Sequence, residues 1–222
     1  MMGQPVVQSD EGVTLVGAGE LTDAVLTAAL ARAPRLVAAD GGADRALAAG
    51  HLPERAIGDF DSLSAAARAA LGEDRLHHIA EQETTDFDKA LRSIAAPFVL
   101  AVGFTGARLD HTLGVFNTLA CHPGRRCLVL GAEDVCFLAP RDLTLRLDPG
   151  TRLSLFPLGE VTGASRGLVW PIDGLAFGPA ARTGLSNRVG APEVRLAFSA
   201  PRMLVILPAA GLDAALAALA GT

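Results

Sequence analysis

The sequence predicts an α/β protein, a Rossmann-like and mostly parallel sheet domain over residues 1–142 followed by an all-β sandwich or barrel over residues 143–222. Three observations predict it. Short apolar runs alternate with helix-period stretches as far as about residue 142. From Leu143 the helical period disappears, and short alternating runs punctuated by Gly and Pro replace it. Acidic residues recur directly after the apolar runs of the first part, where a parallel sheet presents the carboxyl ends of its strands and collects ligands.

Each element follows from local signals. Val13 to Val16 is a β-type run ended by Gly17-Ala18-Gly19, and Thr22 caps a helix through Ala31 with Pro34 beyond it. Leu36 to Ala39 is a second strand closing on Asp40-Gly41-Gly42, and Ala43 to Ala49 a short helix stopped by Gly50. Ala56-Ile57 leads into Gly58-Asp59-Phe60-Asp61-Ser62, where Ser62 or Ser64 caps the next helix. Thr85 to Ile94 is helical, PFVLAVG is a buried strand, Asp110 to Cys121 is helical and CLVLG is another strand. TLRL, RLSLFPL, EVTG, GLVWPI, LAFG, EVRLAF and MLVILP are short alternating or apolar runs of the kind an antiparallel sandwich or barrel uses, and Ala209 to Ala220 is a small terminal helix.

Composition narrows the class. Half of the 222 residues are apolar, enough for a substantial core, and the net charge of −5 with no basic block argues against nucleic acid. The residues before Val13 lack the basic-then-apolar layout of a signal peptide, and no apolar stretch approaches the roughly 20 residues that span a bilayer. Cys121, Cys127 and Cys136 form no C-x-x-C pair, which suits reduced thiols in the cytoplasm.

Three clusters carry chemistry. Asp59 and Asp61 lie two positions apart, so on extended backbone they share a face, roughly 7 Å apart at Cα. Both reach one hard cation there, and Mg2+ suits one or two carboxylates with its other positions left for water and phosphate; a plain helix cap would also account for the pair. The second cluster is Gln82-Glu83-Thr84-Thr85-Asp86-Phe87-Asp88-Lys89. Lys89 shares a helix face with Asp86, and among 19 Lys plus Arg it is the single lysine. A compact ammonium in a chain that otherwise uses arginine suits phosphate. In the third cluster a glycine turn, Gly103 to Gly106, leads into Arg108, Asp110 and His111 at a helix start, an arrangement that presents donors to anions. The chain has no GxxxxGK[ST] loop, and Gly17-x-Gly19 lacks the third glycine of a dinucleotide fingerprint.

In this order and spacing, DGGADRAL, GDFDS, TDFDKAL and GARLDHTLG, continued by GLVWPI and GLSNR, resemble the thiamin pyrophosphokinase family from about Val13 to Pro208. The resemblance implies a nucleotide-binding α/β domain joined to a β-sandwich, working as a homodimer with sites shared between subunits. It implies transfer of the pyrophosphoryl group of ATP to the hydroxyl of thiamin, with AMP leaving. It also implies Asp59, Asp61 and Asp86 as Mg2+ ligands, and Asp86, Lys89, Arg108 and Asp110 as catalytic residues. Asp40, Gly41, Gly42, Gln82, Lys89, Arg108 and His111 would bind ATP, and Trp170, Ser186 and Asn187 thiamin. The chain departs from the family at Glu83, where aspartate is usual, and at Ala107, where a second glycine is usual.

Two other readings remain at this stage. Asp-Phe-Asp-Ser after an apolar strand also resembles the nucleophile motif of haloacid dehalogenase-type phosphatases, although that leaves GARLDH and the β domain unexplained. A thiamin or nucleotide sensor would bind without turnover.

Overall fold

The computed structural model describes residues 5–106 and 108–220. They form two compact units, one running to Thr118 and taking in Val129–Ala132, the other comprising Leu119–Leu128 and everything from Glu133 onward.

In the first unit, β1 (Val7–Gln8) is a short outlying strand, and β2 (Val13–Val16) is buried at every residue. Three of its four residues are apolar, as suits a strand covered on both faces, and the buried Thr14 hydroxyl donates to the Ala33 carbonyl at 2.6 Å. Helix α1 (Asp23–Leu30) starts at Thr22, whose hydroxyl accepts from the Val25 N–H. Strand β3 (Arg35–Ala39) ends on Asp40, and α2 (Gly42–Ala48) begins almost at once. The start of α2 lies so close to the end of β2 that a Cβ on Gly42 would stand 2.1 Å from the Val16 carbonyl oxygen, so only glycine fits. Strand β4 (Arg55–Gly58) is followed by α3 (Ala65–Leu71), capped by Ser64, and by a short strand β5 (Leu76–His78). Helix α4 (Asp86–Arg92) is capped by Thr85, and β6 (Ile94–Ala95) pairs in parallel with β1. Strand β7 (Val99–Val102) pairs in parallel with β2 from Val13↔Val99 to Val16↔Val102. Helix α5 (Leu109–Cys121) leads to β8 (Cys127–Leu130).

Strands β3, β4 and β5 are parallel, in register from Val37↔Arg55 and Ala56↔Leu76, and β3 lies beside β2. Helix α2 covers β2 and β3, and α4 covers β3 and β4. The carboxyl ends of β2, β3, β4 and β7 therefore open on one edge. Among the described residues no helix is long and apolar enough to cross a membrane.

The second unit is β-rich. Its strands are β9 (Asp134–Leu138), β10 (Asp142–Arg146), β11 (Arg152–Pro157), β12 (Val161–Arg166), β13 (Leu175–Phe177), β14 (Gly184–Arg188), β15 (Glu193–Phe198) and β16 (Met203–Pro208). Helix α6 (Leu212–Ala220) closes the chain and packs on β10. The strands form two antiparallel sets in the orders β14-β11-β16-β9 and β10-β15-β12-β13. The period-two pattern read from the sequence is real: Leu143 and Leu145 of β10, and Val194, Leu196 and Phe198 of β15, are buried while their neighbours are exposed. The sets face one another, since a Cβ at Gly184 of β14 would stand 3.5 Å from the Phe177 ring of β13.

The sequence division at 142/143 differs from the observed one. Strand β9 belongs to the β-rich unit because it pairs with β16 from Asp134↔Pro208 to Leu138↔Leu204. Its apolar run, Val135 to Leu138, carries no local mark that its partner lies some seventy residues on.

Candidate active site

Asp40, at the end of β3, is 3% exposed and has φ 41°, a left-handed conformation that aspartate tolerates better than most residues. Its Oδ2 accepts from Ser62 Oγ at 2.7 Å and from Ser62 N at 3.3 Å, while its Oδ1 is buried with no partner. Ser62, one of two candidate caps in the sequence, is thus a clamp on Asp40, and Ser64 alone caps α3. The chain after β4 is not extended, as the two-residue spacing of the carboxylates suggested. Phe60 is left-handed at φ 63°, and the Asp61 N–H turns back to Asp59 Oδ1 at 3.3 Å. The outcome is a tighter gathering, with one ligand-type oxygen from each of Asp40, Asp59 and Asp61 lying within 4.8 Å of one another.

Asp86, expected as a third metal ligand, stands beside this trio and is tied to Lys89. Lys89 is 1% exposed, and its Nζ donates to Asp59 Oδ2 at 2.8 Å and Asp86 Oδ1 at 3.1 Å. Gln82 Nε2 donates to the same Asp59 oxygen at 3.1 Å. Lys89 and Gln82 therefore meet Asp59 rather than the open cleft. The Lys89 hydrogen bond holds the Asp59 carboxyl below the ordinary carboxylate range. Burial works against the Lys89 charge, but the hydrogen bonds to Asp59 and Asp86 outweigh it and the ammonium is held above its usual range. Burial pushes Asp40 up to about 6; the Ser62 hydrogen bonds oppose this and the Asp86 charge adds to it. The site thus gathers four carboxylates and one ammonium, which pairs with two of them, Asp59 and Asp86. The donors are all hard oxygens, the charge balance is negative, and a buried oxygen lacks a partner, which together fit a small divalent cation.

A cleft of about 380 Å³ opens beside the acidic centre. Glycines of two strand ends wall it: Gly19 N donates to Gly103 O at 2.7 Å, and Gly103 has φ 72°, which a side chain would resist. Asp40, Gly41 and Asp86 lie along the cleft with Arg108 and His111, whereas Gly42 is buried against β2. Arg108 grips Asp110 through both arms, Nε to Oδ1 at 3.2 Å and Nη2 to Oδ2 at 2.6 Å, which lowers the Asp110 carboxyl to about 2. Ala107, one of the departures noted above, lies outside the described residues.

In the second unit Trp170 is 53% exposed, with the Arg188 guanidinium 5.9 Å from its ring centroid. Asn187 is buried and fully engaged. Its Nδ2 donates to Trp170 O at 2.7 Å, and its Oδ1 accepts from Trp170 N at 3.3 Å and Arg188 N at 2.7 Å. It fixes the Trp170 backbone instead of offering its amide to a ligand. Ser186 has φ 58°, and its N–H donates to Ser154 Oγ at 2.9 Å, where the β11–β14 register shifts. Ser154 and Ser62 are the polar residues that sequence reasoning missed in these roles. Each binds a partner more than twenty residues away, and no local pattern marks such a pair.

An acidic centre and a glycine-walled cleft at the carboxyl edge of a parallel sheet, in a chain that also carries a β-rich unit, define the class as an α/β protein with a ligand site at that edge. Residues 26–129 match the family model for the catalytic domain of thiamin pyrophosphokinase. The chain is 28% identical over 183 residues to thiamine pyrophosphokinase 3 of Oryza sativa subsp. japonica, covering 66% of this chain and 68% of that protein. It resembles the crystal structure of thiamin pyrophosphokinase from Geobacillus thermodenitrificans with a TM-score of 0.72 and 25% identity, over 89% of this chain and 96% of that one. Yeast thiamin pyrophosphokinase shares the fold, with a TM-score of 0.73 at 17% identity, over 96% of this chain and 94% of that one. The chain is thus similar to thiamin pyrophosphokinases in sequence over residues 26–129 and in fold over most of its length.

Proposed function

We propose that this chain moves the pyrophosphoryl group of ATP, as a unit, onto the hydroxyl of thiamin, giving thiamin diphosphate and AMP. The observation that carries the proposal is the buried, partnerless Asp40 Oδ1 gathered with Asp59 and Asp61, inside the segment that matches the family's catalytic domain.

Asp40, Asp59 and Asp61 would hold a divalent cation, Mg2+ by the hardness of the donors, with Asp86 beside them. Such an ion, when bound, supplies charge neutralisation on the phosphate oxygens. Lys89 and Gln82 hold Asp59 in one orientation. Arg108 and His111, at the start of α5, meet phosphate oxygens, and Asp110 orients the Arg108 guanidinium. Asp86 lines the cleft and takes the proton of the attacking hydroxyl. The thiamin oxygen bonds to the β-phosphorus, the bond from that phosphorus to the α,β-bridging oxygen breaks, and AMP keeps the electron pair. Positioning and electrostatics account for such a displacement without a covalent intermediate.

The first unit is read as a Rossmann-like ATP-binding domain, and the second as the thiamin-binding and dimerisation domain. Trp170 is the stacking platform, Ser186 a polar contact and Asn187 the brace behind Trp170. The acceptor site is shared across a homodimer; exposed Val169, Trp170 and Leu185 are apolar surface that a second copy would cover. Buried thiols at Cys127 and Cys136 support a cytoplasmic setting. The phosphatase reading is not favoured: it leaves the β-rich unit without a role, and Asp59, one of the two aspartates of its motif, is held by Lys89 and Gln82. Incubation with ATP, Mg2+ and thiamin should yield thiamin diphosphate and AMP; release of inorganic phosphate with no thiamin product would overturn the proposal.

A further inference from the structure

Phe60 has a costly backbone for its residue type. Its φ of 63° lies in the left-handed region, where the Cβ of a bulky residue crowds the neighbouring carbonyl. It sits between Asp59 and Asp61, whose oxygens converge with one of Asp40 within 4.8 Å. A strained conformation persists only where its surroundings over-determine it. Here they do so through the ring. The His78 imidazole of β5 stacks on it, with centroids 5.9 Å apart and planes inclined by 27°. The Arg68 guanidinium of α3 lies 5.5 Å from its centroid on an arm that also pairs with Glu73. The ring also packs, with Leu63 and Leu76, against the buried cluster of Ala38, Ala43, Ala56 and Leu71. These anchors belong to elements around the acidic centre and supply none of its carboxylates.

We propose that Phe60 is a positioning residue for the cation centre. Its anchored ring holds residue 60 left-handed, and that turn keeps Asp59 and Asp61 aimed at a common point with Asp40. The inference rests on the reading of those carboxylates as a metal centre. It explains why an aromatic residue stands where glycine would be less strained: glycine would permit the turn, but nothing would hold it there.

The test uses Mn2+ as the probe, with free Mn2+ followed by electron paramagnetic resonance in the absence of nucleotide. Phe60→Gly removes the anchor but allows the turn; Phe60→Ala removes the anchor and also penalises the turn. Mn2+ should bind about three- to fivefold more weakly in Phe60→Gly and about tenfold or more weakly in Phe60→Ala, with kcat returning toward wild type at saturating metal. Loss of core volume alone gives the opposite order, since glycine leaves the larger void and the more flexible chain. Wild-type affinity in Phe60→Ala, or a larger defect in Phe60→Gly than in Phe60→Ala, overturns the inference. Phe60→Leu keeps an apolar anchor and serves if the smaller variants fail to fold. It should bind about threefold more weakly, and wild-type affinity there overturns the inference as well. Asp61→Asn separates the two levels. If wild type takes up no Mn2+, or Asp61→Asn binds it unchanged, the metal-centre reading fails and this inference falls with it.

Discussion

Lys89 connects composition to mechanism. Its status as the only lysine is visible in the sequence, and so is its place on one face with Asp86. Its stronger partner, Asp59, is thirty residues away and emerges only when β4 and α4 pack together. A guanidinium is larger and planar and cannot sit at one point between two carboxylates in a 1% exposed site. Lys89→Arg should therefore lose about 2 kcal/mol of stability through overpacking and at least about tenfold in turnover, although charge is conserved. Chemical denaturation and steady-state rates check this, and full activity would make the lone lysine an accident of composition. Asp40 gives a pH dependence. Its folded pKa of about 6 lies above the usual 3.8, so the metal-free folded state binds this proton more tightly than the unfolded one. Its ionisation therefore destabilises the fold as pH rises from about 4 through about 6. Asp40→Asn should be more stable than wild type by about 3 kcal/mol near pH 7 without metal, and the gap should close near pH 4. A gap independent of pH, measured by urea unfolding, would contradict the burial argument.

At the scale of elements, β2, β3, β4 and β7 followed from apolar runs and α1, α3 and α4 from their caps Thr22, Ser64 and Thr85. The two-residue strands β1 and β6 did not, and the helix expected to reach Ile94 ends at Arg92 because Ile94 pairs in β6. Strand β5 was not legible, because three residues, Leu-His-His, at a half-buried edge have no apolar period. The left-handed turns at Asp40, Phe60 and Ser186 were not legible either, since tertiary contacts impose them against residue preference. The acidic trio was half legible: Asp59 and Asp61 stand together in sequence, whereas Asp40 joins them through the parallel pairing of β3 and β4. The β14 segment and Trp170 show an element-level dependence, because one amide, that of Asn187, satisfies both backbone groups of Trp170. Removing it takes away the partner of the Trp170 N–H and carbonyl together. Asn187→Ala should cost about 1–2 kcal/mol of stability. With one tryptophan and no tyrosine in the chain, intrinsic fluorescence reports on Trp170. Saturable quenching by thiamin should require about tenfold more thiamin in this variant, an effect of about 1.4 kcal/mol. Unchanged quenching would leave Asn187 outside the acceptor site.

At the scale of the whole molecule, the change from helical to alternating period announced two kinds of structure, and both are present. The placement of β9 with the β-rich unit escaped the sequence because long-range antiparallel pairing leaves no local trace. The proposed transfer of two phosphoryl units together, at a centre built from Asp40, Asp59 and Asp61, can be tested on the whole molecule. The most direct test is phosphorus nuclear magnetic resonance of wild type and Asp61→Asn supplied with ATP, Mg2+ and thiamin. Wild type should give thiamin diphosphate and AMP in equal amounts, and Asp61→Asn should form both at least about a hundredfold more slowly, since it loses a charged ligand in an electrostatic site. ADP with thiamin monophosphate, or an Asp61→Asn chain as fast as wild type, would contradict the proposed transfer.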